Sequence, residues 1–293
     1  MHDTHKQLVY KTLLISEISN EGPSNTTCDQ IRKVSPKKYR QLAFVCIHGE
    51  IDDLHFESSD TLNACSTGVI ISPNIVIDTR PHPCESCNYS VKITSNKSEK
   101  PDTVYQAELI LHENYTTEGT GFVSPYNIAL YKLNESITFE SQIQPAKILE
   151  EGKVPQSGDI GTDVDWAILP NEGRVDTEIN EVNLTVMSVQ DCRKLFKHWY
   201  PASIRDSNSF FGFRPHVPEI QEMPEGFFCT KVPYYDFCLL RNSSPKFFIQ
   251  NQLAGLLLWN DLTDDQLYHV SLYVDVGKHR DWIQNHVASN KFN

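Results

Sequence analysis

The chain has 293 residues, with 26 Lys and Arg against 38 Asp and Glu, a formal charge of −12. That length suits one large β domain or two moderate ones, and 39% hydrophobic with 22% charged residues excludes a disordered or fibrous chain. The acid excess gives no overall electrostatic footprint for nucleic acid or anionic lipid, and no apolar run approaches the roughly 20 residues of a membrane span.

Residues 1–38 are polar, hold Glu21-Gly22-Pro23-Ser24-Asn25-Thr26-Thr27 and a basic patch at Lys37-Lys38, and read as an extension or linker. From Leu42 onward, short β-branched runs alternate with turns, as at 68–71, 75–77, 105–111 and 128–133. Strands at such spacing predict an all-β barrel or sandwich. Residues 188–199 mix polar and apolar side chains and predict a short helix. The stretch 201–225, with Phe210-Phe211-Gly212-Phe213-Arg214-Pro215, predicts an enlarged loop, either a partner surface or a cover over the core. Asp261-Leu262-Thr263-Asp264-Asp265 lacks the alternate spacing and glycine of a calcium loop and reads as a solvated acidic turn. Near the end, Val276, Trp282, Ile283 and Val287 fall on one helical face. No repeat of 20 to 50 residues is visible.

Eight cysteines, at 28, 46, 65, 84, 87, 192, 229 and 238, lack the repeated C-x-x-C pairs of a zinc site, so no metal or cofactor is expected. An even count through a chain of this size reads as the disulfides of a secreted protein. Glycosylation sequons at Asn25, Asn88, Asn96, Asn114, Asn134 and Asn183 point to the same extracellular route. A seventh, at Asn242, is a poor acceptor because Pro245 follows it. The N-terminus, Met1-His2-Asp3-Thr4, shows no signal peptide, so the expectation is a sequence that starts after the signal or an incomplete start.

Eight local patterns, in order, resemble the chymotrypsin/trypsin-like serine protease domain. They are Cys65-Ser66-Thr67-Gly68-Val69-Ile70-Ile71 continuing to Ile77; Leu109-Ile110-Leu111-His112-Glu113-Asn114-Tyr115; Tyr126-Asn127-Ile128-Ala129-Leu130; Asp165-Trp166; residues 182–192; Phe228-Cys229 with Cys238; Gly255-Leu256-Leu257-Leu258-Trp259; and Tyr273-Val274-Asp275-Val276 with Trp282-Ile283. The resemblance implies two antiparallel six-stranded β-barrels with a short C-terminal helix, over residues 39–290.

It also implies where a base, an orienting carboxylate and a nucleophile would stand. Cys238-Leu239-Leu240-Arg241-Asn242-Ser243-Ser244-Pro245 keeps the family's Cys and Pro in register, which puts Asn242 at the serine position. A carboxamide is no nucleophile there, and losing this serine costs roughly a factor of 10⁶ in related chemistry. Leu240 replaces the oxyanion-hole glycine, and Arg241 replaces the aspartate that pairs with the N-terminus released on zymogen cleavage. No Ile-Val-Gly-Gly-like sequence lies between Cys28 and Cys65. By the resemblance Asn127 stands at the aspartate position, where an amide favours the wrong imidazole tautomer and costs about 10⁴ in rate in that family. His82, before Pro83-Cys84, lies near the place of the base and is either in the old cleft or on an exposed loop. His112 matches a non-catalytic, strand-end position.

By the same resemblance Asp236 is either the floor of a basic-side-chain pocket or an acidic loop residue. Trp259 and Asn260 belong to that pocket's wall, where Asn260 narrows the cleft. Position by position, the implied disulfides are Cys65–Cys84 and Cys192–Cys229. Cys28, Cys46, Cys87 and Cys238 remain with three pairings, or Cys87 takes the place of Cys84, and one bond would tie the extension to the barrel. The glycine deficit, 13 of 293 residues, partly reflects the lost glycines of the catalytic loop. The implied function is that of a secreted, inactive homologue of insect type, binding active proteases, zymogens, their substrates or other extracellular proteins. Such homologues serve in immune melanisation cascades and reproductive secretions. An atypical active endopeptidase using Ser243 or Ser244, and an extracellular adhesion glycoprotein, are the alternatives.

Overall fold

In the computed structural model, the described residues are 32–50, 61–79, 87–93, 103–116, 124–139, 143–150, 153–168, 175–196, 223–233, 244–262 and 268–289. After a short strand β1 (Arg32–Val34) come six strands of the N-terminal half: β2 (Leu42–Glu50), β3 (Thr61–Ser72), β4 (Ile75–Thr79), β5 (Asn88–Ile93), β6 (Thr103–Leu111) and β7 (Ile128–Leu133). They close into a barrel in the order β2-β3-β4-β7-β6-β5, every pairing antiparallel. A two-residue strand β8 (Lys147–Ile148) leads to the second half: β9 (Ile160–Ile168), β10 (Val175–Val186), β11 (Phe227–Pro233), β12 (Lys246–Ile249), β13 (Gln252–Leu262) and β14 (Tyr268–Asp275). These close in the order β9-β10-β11-β14-β13-β12, with β12 returning to β9. The two antiparallel six-stranded barrels expected from the sequence are therefore those the chain forms.

The apolar runs at 75–77 and 128–133 are strands buried on both faces. In β4, Val76 fills the first barrel, while Ile75 and Ile77 join a core shared with Trp166, Phe248, Leu253 and Leu256 of the second. Phe44 packs its ring 4.7 Å from that of Trp166 across the same seam. The second barrel is filled by Leu184, Phe228, Phe247, Leu257 and Tyr273. Close packing there dictates Gly161, because a Cβ at that position would lie 2.2 Å from the Phe247 ring. Gln250 and Asn251, at φ 49° and 61°, form the two-residue hairpin between β12 and β13 and match its twist.

Helix α1 (189–196) starts at Ser188, whose hydroxyl accepts from the Asp191 N–H at 3.1 Å and donates to the Asp191 carboxylate at 2.8 Å. The C-terminal segment is a 3₁₀ turn, Val276–His279, capped by Asp275, followed by α2 (Arg280–Ser289). Val276, Trp282 and Ile283 join the seam core, with Val287 packed against it, as their spacing predicts.

Cys192–Cys229 forms as expected. The Cys65–Cys84 expectation is corrected: Cys65 bonds Cys46. The reason lies in the β2–β3 register, which sets Cys46 directly opposite Cys65 with their Cα atoms 4.1 Å apart. Cys87 is also disulfide-bonded, while Cys28, Cys84 and Cys238 lie outside the described residues. The sheet begins earlier than the expected boundary at residue 38, since Arg32, Lys33 and Val34 pair with Glu181, Asn180 and Ile179.

Candidate functional site

Three strand ends that lie close in sequence to the positions the resemblance assigns to a triad meet at the seam. Thr79, the last residue of β4 and three before His82, pairs with Ile128, the residue after Asn127. Its hydroxyl donates across the seam to the Leu257 carbonyl at 2.8 Å. Leu257 in turn donates its N–H to the Pro245 carbonyl at 3.2 Å, three residues after Asn242. These bonds tie the end of β4 to β13 and the start of β12 across the seam.

Asn127 is 3% exposed. A turn at Ser124 holds it: the Asn127 N–H donates to the Ser124 carbonyl at 3.0 Å, and the Tyr126 N–H to the Ser124 hydroxyl at 3.2 Å. His82, Cys84, Asp236, Leu240, Arg241 and Asn242 lie outside the described residues, as do Asn25, Asn96 and 201–222 of the enlarged loop. Trp259 and Asn260 are half-buried on β13, opposite Leu272 and Ser271 of β14. Of the other sequons, Asn88, Asn114, Asn134 and Asn183 are exposed. Among the described residues no group of three or more His, Cys, Asp or Glu is placed to hold a metal ion. No helix among them is long and apolar enough to cross a membrane.

A buried charged cluster links the two barrels. The Lys246 ammonium is 2.7 Å from Asp78 Oδ1, and the two side chains are 0% and 1% exposed. Lys246 also donates to the Ser244 carbonyl at 2.6 Å and to Ser244 Oγ at 2.7 Å, so all three of its N–H groups are used. Asp78 further accepts from the Ser66 hydroxyl at 2.5 Å and the Thr79 N–H at 2.7 Å. Nearby, the Thr67 hydroxyl donates to Asp165, a second link between the barrels. Serine beside lysine is a known catalytic pairing, but a base needs a free lone pair. Here the lysine donates three hydrogen bonds in its ammonium form, and Ser244 is 5% exposed. The arrangement is an ion pair built into the fold. Sequence reasoning missed it, although a lysine opening the run Lys246-Phe247-Phe248-Ile249, and an aspartate ending Ile75-Val76-Ile77-Asp78, are each anomalous in an apolar strand.

A cluster of rings forms around Tyr126, the residue before Asn127. His112, at the end of β6, lies 4.8 Å from Tyr126, 5.2 Å from His279 and 4.9 Å from Trp282, centroid to centroid. Its Nδ1 accepts from the Asn114 N–H at 3.2 Å, and Trp282 Nε1 donates to Glu113 at 3.1 Å. Burial lowers the His112 pKa against the opposing charge of Glu113, and lowers that of His279 to about 4 with help from His112. His112 is therefore the packed strand-end histidine expected. Inside the second barrel, burial raises the Asp163 carboxyl to about 8, which the Tyr273 hydroxyl only partly offsets.

The Trypsin family's sequence profile matches residues 53–216, more than half of the chain. No curated protein matches the sequence significantly. Among solved structures, the scabies mite inactivated protease paralogue S-D1 is similar at TM-score 0.62 and 13% identity, over 89% of this chain and 97% of that one. GrC matches at TM-score 0.59 and 14% identity, over 88% and 98% of the respective chains. Neuropsin, a serine protease expressed in the limbic system of mouse brain, matches at TM-score 0.59 and 15% identity, over 88% and 99%. At these identities the likeness is one of fold.

Proposed function

The chain belongs to the trypsin family, and we propose that it is a secreted, glycosylated pseudoprotease that acts by binding proteins rather than by cleaving them. Its partners are active serine proteases, zymogens or their substrates in an extracellular pathway, of the immune or reproductive kind that such homologues serve. The observation that supports this reading is that Asn127, which the resemblance assigns to the orienting carboxylate, is a buried amide. An amide there holds an imidazole in the wrong tautomer, and Asn242 in the register of Cys238 and Pro245 leaves no hydroxyl to activate. Disulfides at Cys46–Cys65 and Cys192–Cys229 suit an oxidising compartment, and four exposed sequon asparagines suit glycan attachment.

The test has two arms. Purified protein is treated with a fluorophosphonate probe, and the native protein is cross-linked in its source fluid and its partners identified. No labelling, with a protease, zymogen or protease substrate among the cross-links, is the expected result. Labelling that disappears in Ser243→Ala or Ser244→Ala would establish the atypical hydrolase instead. Cross-links confined to receptors or matrix would replace the cascade role with adhesion.

A further inference from the structure

The interior of the second barrel is not wholly apolar. Residues directly opposite each other on antiparallel strands share a face of the sheet, and residues two apart along a strand stay on it. Asp163 of β9 is opposite Val182 on one side and Phe247 on the other, and both of these fill the barrel. Thr230 of β11 is opposite Ser271 of β14, and each stands two residues from a member of the inward Phe228–Tyr273 pair. Asp163, Thr230, Ser271 and Tyr273 therefore all face inward, and all four are buried.

These groups do not satisfy one another. Both carboxylate oxygens of Asp163, the Tyr273 hydroxyl and the Thr230 hydroxyl are sealed from solvent, and none of the four has a hydrogen-bond partner among the described residues. Yet Tyr273 is near enough to Asp163, Thr230 and Ser271 for each to act on its titration, so the oxygens converge without closing a bond. Charge is unbalanced as well. Asp163 senses the charges of Asp165, two residues on, and of Lys246. Lys246, however, uses its three N–H groups on Asp78 and Ser244. Asp165 accepts from the Thr67 hydroxyl and the Trp166 N–H. Asp78, Asp163 and Asp165 thus share one buried ammonium, and an unpaired buried carboxylate is costly to hold.

We propose that Asp163, Tyr273, Thr230 and Ser271 form a buried site for a monovalent alkali cation, sodium or potassium. Carboxylate and hydroxyl oxygens suit a hard cation, and one carboxylate matches one positive charge. Calcium takes roughly 6 to 8 oxygens and more negative charge than this group offers. The group has no nitrogen or sulfur donor to favour zinc or copper. A proton is the competitor, since burial lifts the Asp163 carboxyl to about 8. Cation binding therefore weakens about tenfold for each pH unit below that value. Of the other charges facing the site, Asp165 favours a cation and Lys246 opposes it. His269, beyond Ser271 on the same face of β14, opposes it when protonated.

The test is thermal unfolding of the full-length disulfide-bonded protein in sodium, potassium or choline chloride at about 150 mM, which holds ionic strength constant. Choline is too large to enter. At pH 8 the midpoint is expected to be about 3 °C higher in sodium or potassium than in choline, as for a ligand at about ten times its dissociation constant. At pH 6 the difference is expected to vanish, because the proton then holds Asp163. Asp163→Asn is expected to remove the difference at pH 8, and Tyr273→Phe, which keeps the ring, to shrink it. Equal midpoints in the three salts at pH 8 overturn the proposal. So does a difference that persists unchanged at pH 6, or one that survives in a folded Asp163→Asn. The comparison of pH 8 with pH 6 uses the parent alone, so it decides the matter even where a variant does not fold. Because the readout involves neither hydrolysis nor a protease, failure here leaves the fluorophosphonate and cross-linking results untouched.

Discussion

The Lys246 ammonium and the Asp78 carboxylate meet at 2.7 Å across the two barrels, with both side chains sealed from solvent. Two strands from different halves of the chain, β12 and β4, are thereby pinned to each other. Forming such a pair removes two charges from water, so its net contribution is small, whereas breaking it leaves one charge buried and uncompensated. Lys246→Met is therefore expected to lower stability by about 3 to 5 kcal/mol in denaturant unfolding. Asp78→Asn combined with Lys246→Met is expected to cost less than the sum of the singles. Additive costs would show that the two residues do not act as a pair.

Restoring one residue does not restore a machine whose parts act together. Asn242→Ser supplies a hydroxyl, but Asn127, Leu240 and Arg241 remain. The variant is expected to show no hydrolysis of peptide amide or ester substrates above the parent. Adding Asn127→Asp is expected to leave it silent as well, because the oxyanion glycine is still absent. Measurable turnover by Asn242→Ser alone would mean that the cleft retains far more of its chemistry than the sequence allows.

Cys46 and Cys65 are 19 residues apart and lie on adjacent strands of the first barrel. Peptide mapping without reduction is expected to recover their two peptides joined. Closing a loop of that length contributes about 3 kcal/mol, and Cys46→Ser/Cys65→Ser is expected to lose that amount while keeping the barrel's circular dichroism. A Cys65–Cys84 peptide in the map would restore the pairing implied by resemblance.

Why that pairing misled is physical. The order of elements is written in local residues: β-branched runs such as 75–77 and 128–133, the mixed polar and apolar stretch 188–199, and the apolar face of Val276, Trp282, Ile283 and Val287. Each of these was legible. A disulfide depends instead on register between strands, and Cys46 becomes a partner only once β2 lies against β3 residue by residue. The Asp78–Lys246 pair is similarly hidden, since the two positions are 168 residues apart and neither charge, odd as each is in an apolar strand, points to its partner. The assignment of Asn127 to the carboxylate position comes from Tyr126-Asn127-Ile128-Ala129-Leu130 alone, and the structure adds that the residue is buried. The contacts of Arg32, Lys38 and Tyr39 with Glu181 were not legible, because β10 reads as one alternating strand until these residues are seen to fold back on it.

Two buried groups give stability opposite dependences on pH. The His279 pKa falls from 6.5 to about 4 in the native state, through burial and the neighbouring His112. Between those values the unfolded chain takes up a proton that the native chain refuses, so stability falls as pH falls. His112, also lowered, acts in the same direction, with Glu113 opposing and His286 adding to it. Asp163 is the reverse: burial raises it from 3.8 to about 8, so the native chain keeps a proton the unfolded chain has lost. Stability from this group is lost as pH rises through that window. Asp275, raised to about 6 by burial, adds to the loss over its lower part. Above pH 6.5 Asp163 acts with little opposition, and unfolding free energy is expected to fall by about 2 kcal/mol between pH 6.5 and 8. Asp163→Asn is expected to flatten that limb. His279→Phe is expected to remove about 3 kcal/mol of acid-side loss between pH 6.5 and 4 while keeping a ring against His112 and Tyr126. Urea unfolding across pH 4 to 8 reads both slopes. An alkaline limb unchanged in Asp163→Asn would place that proton on another group.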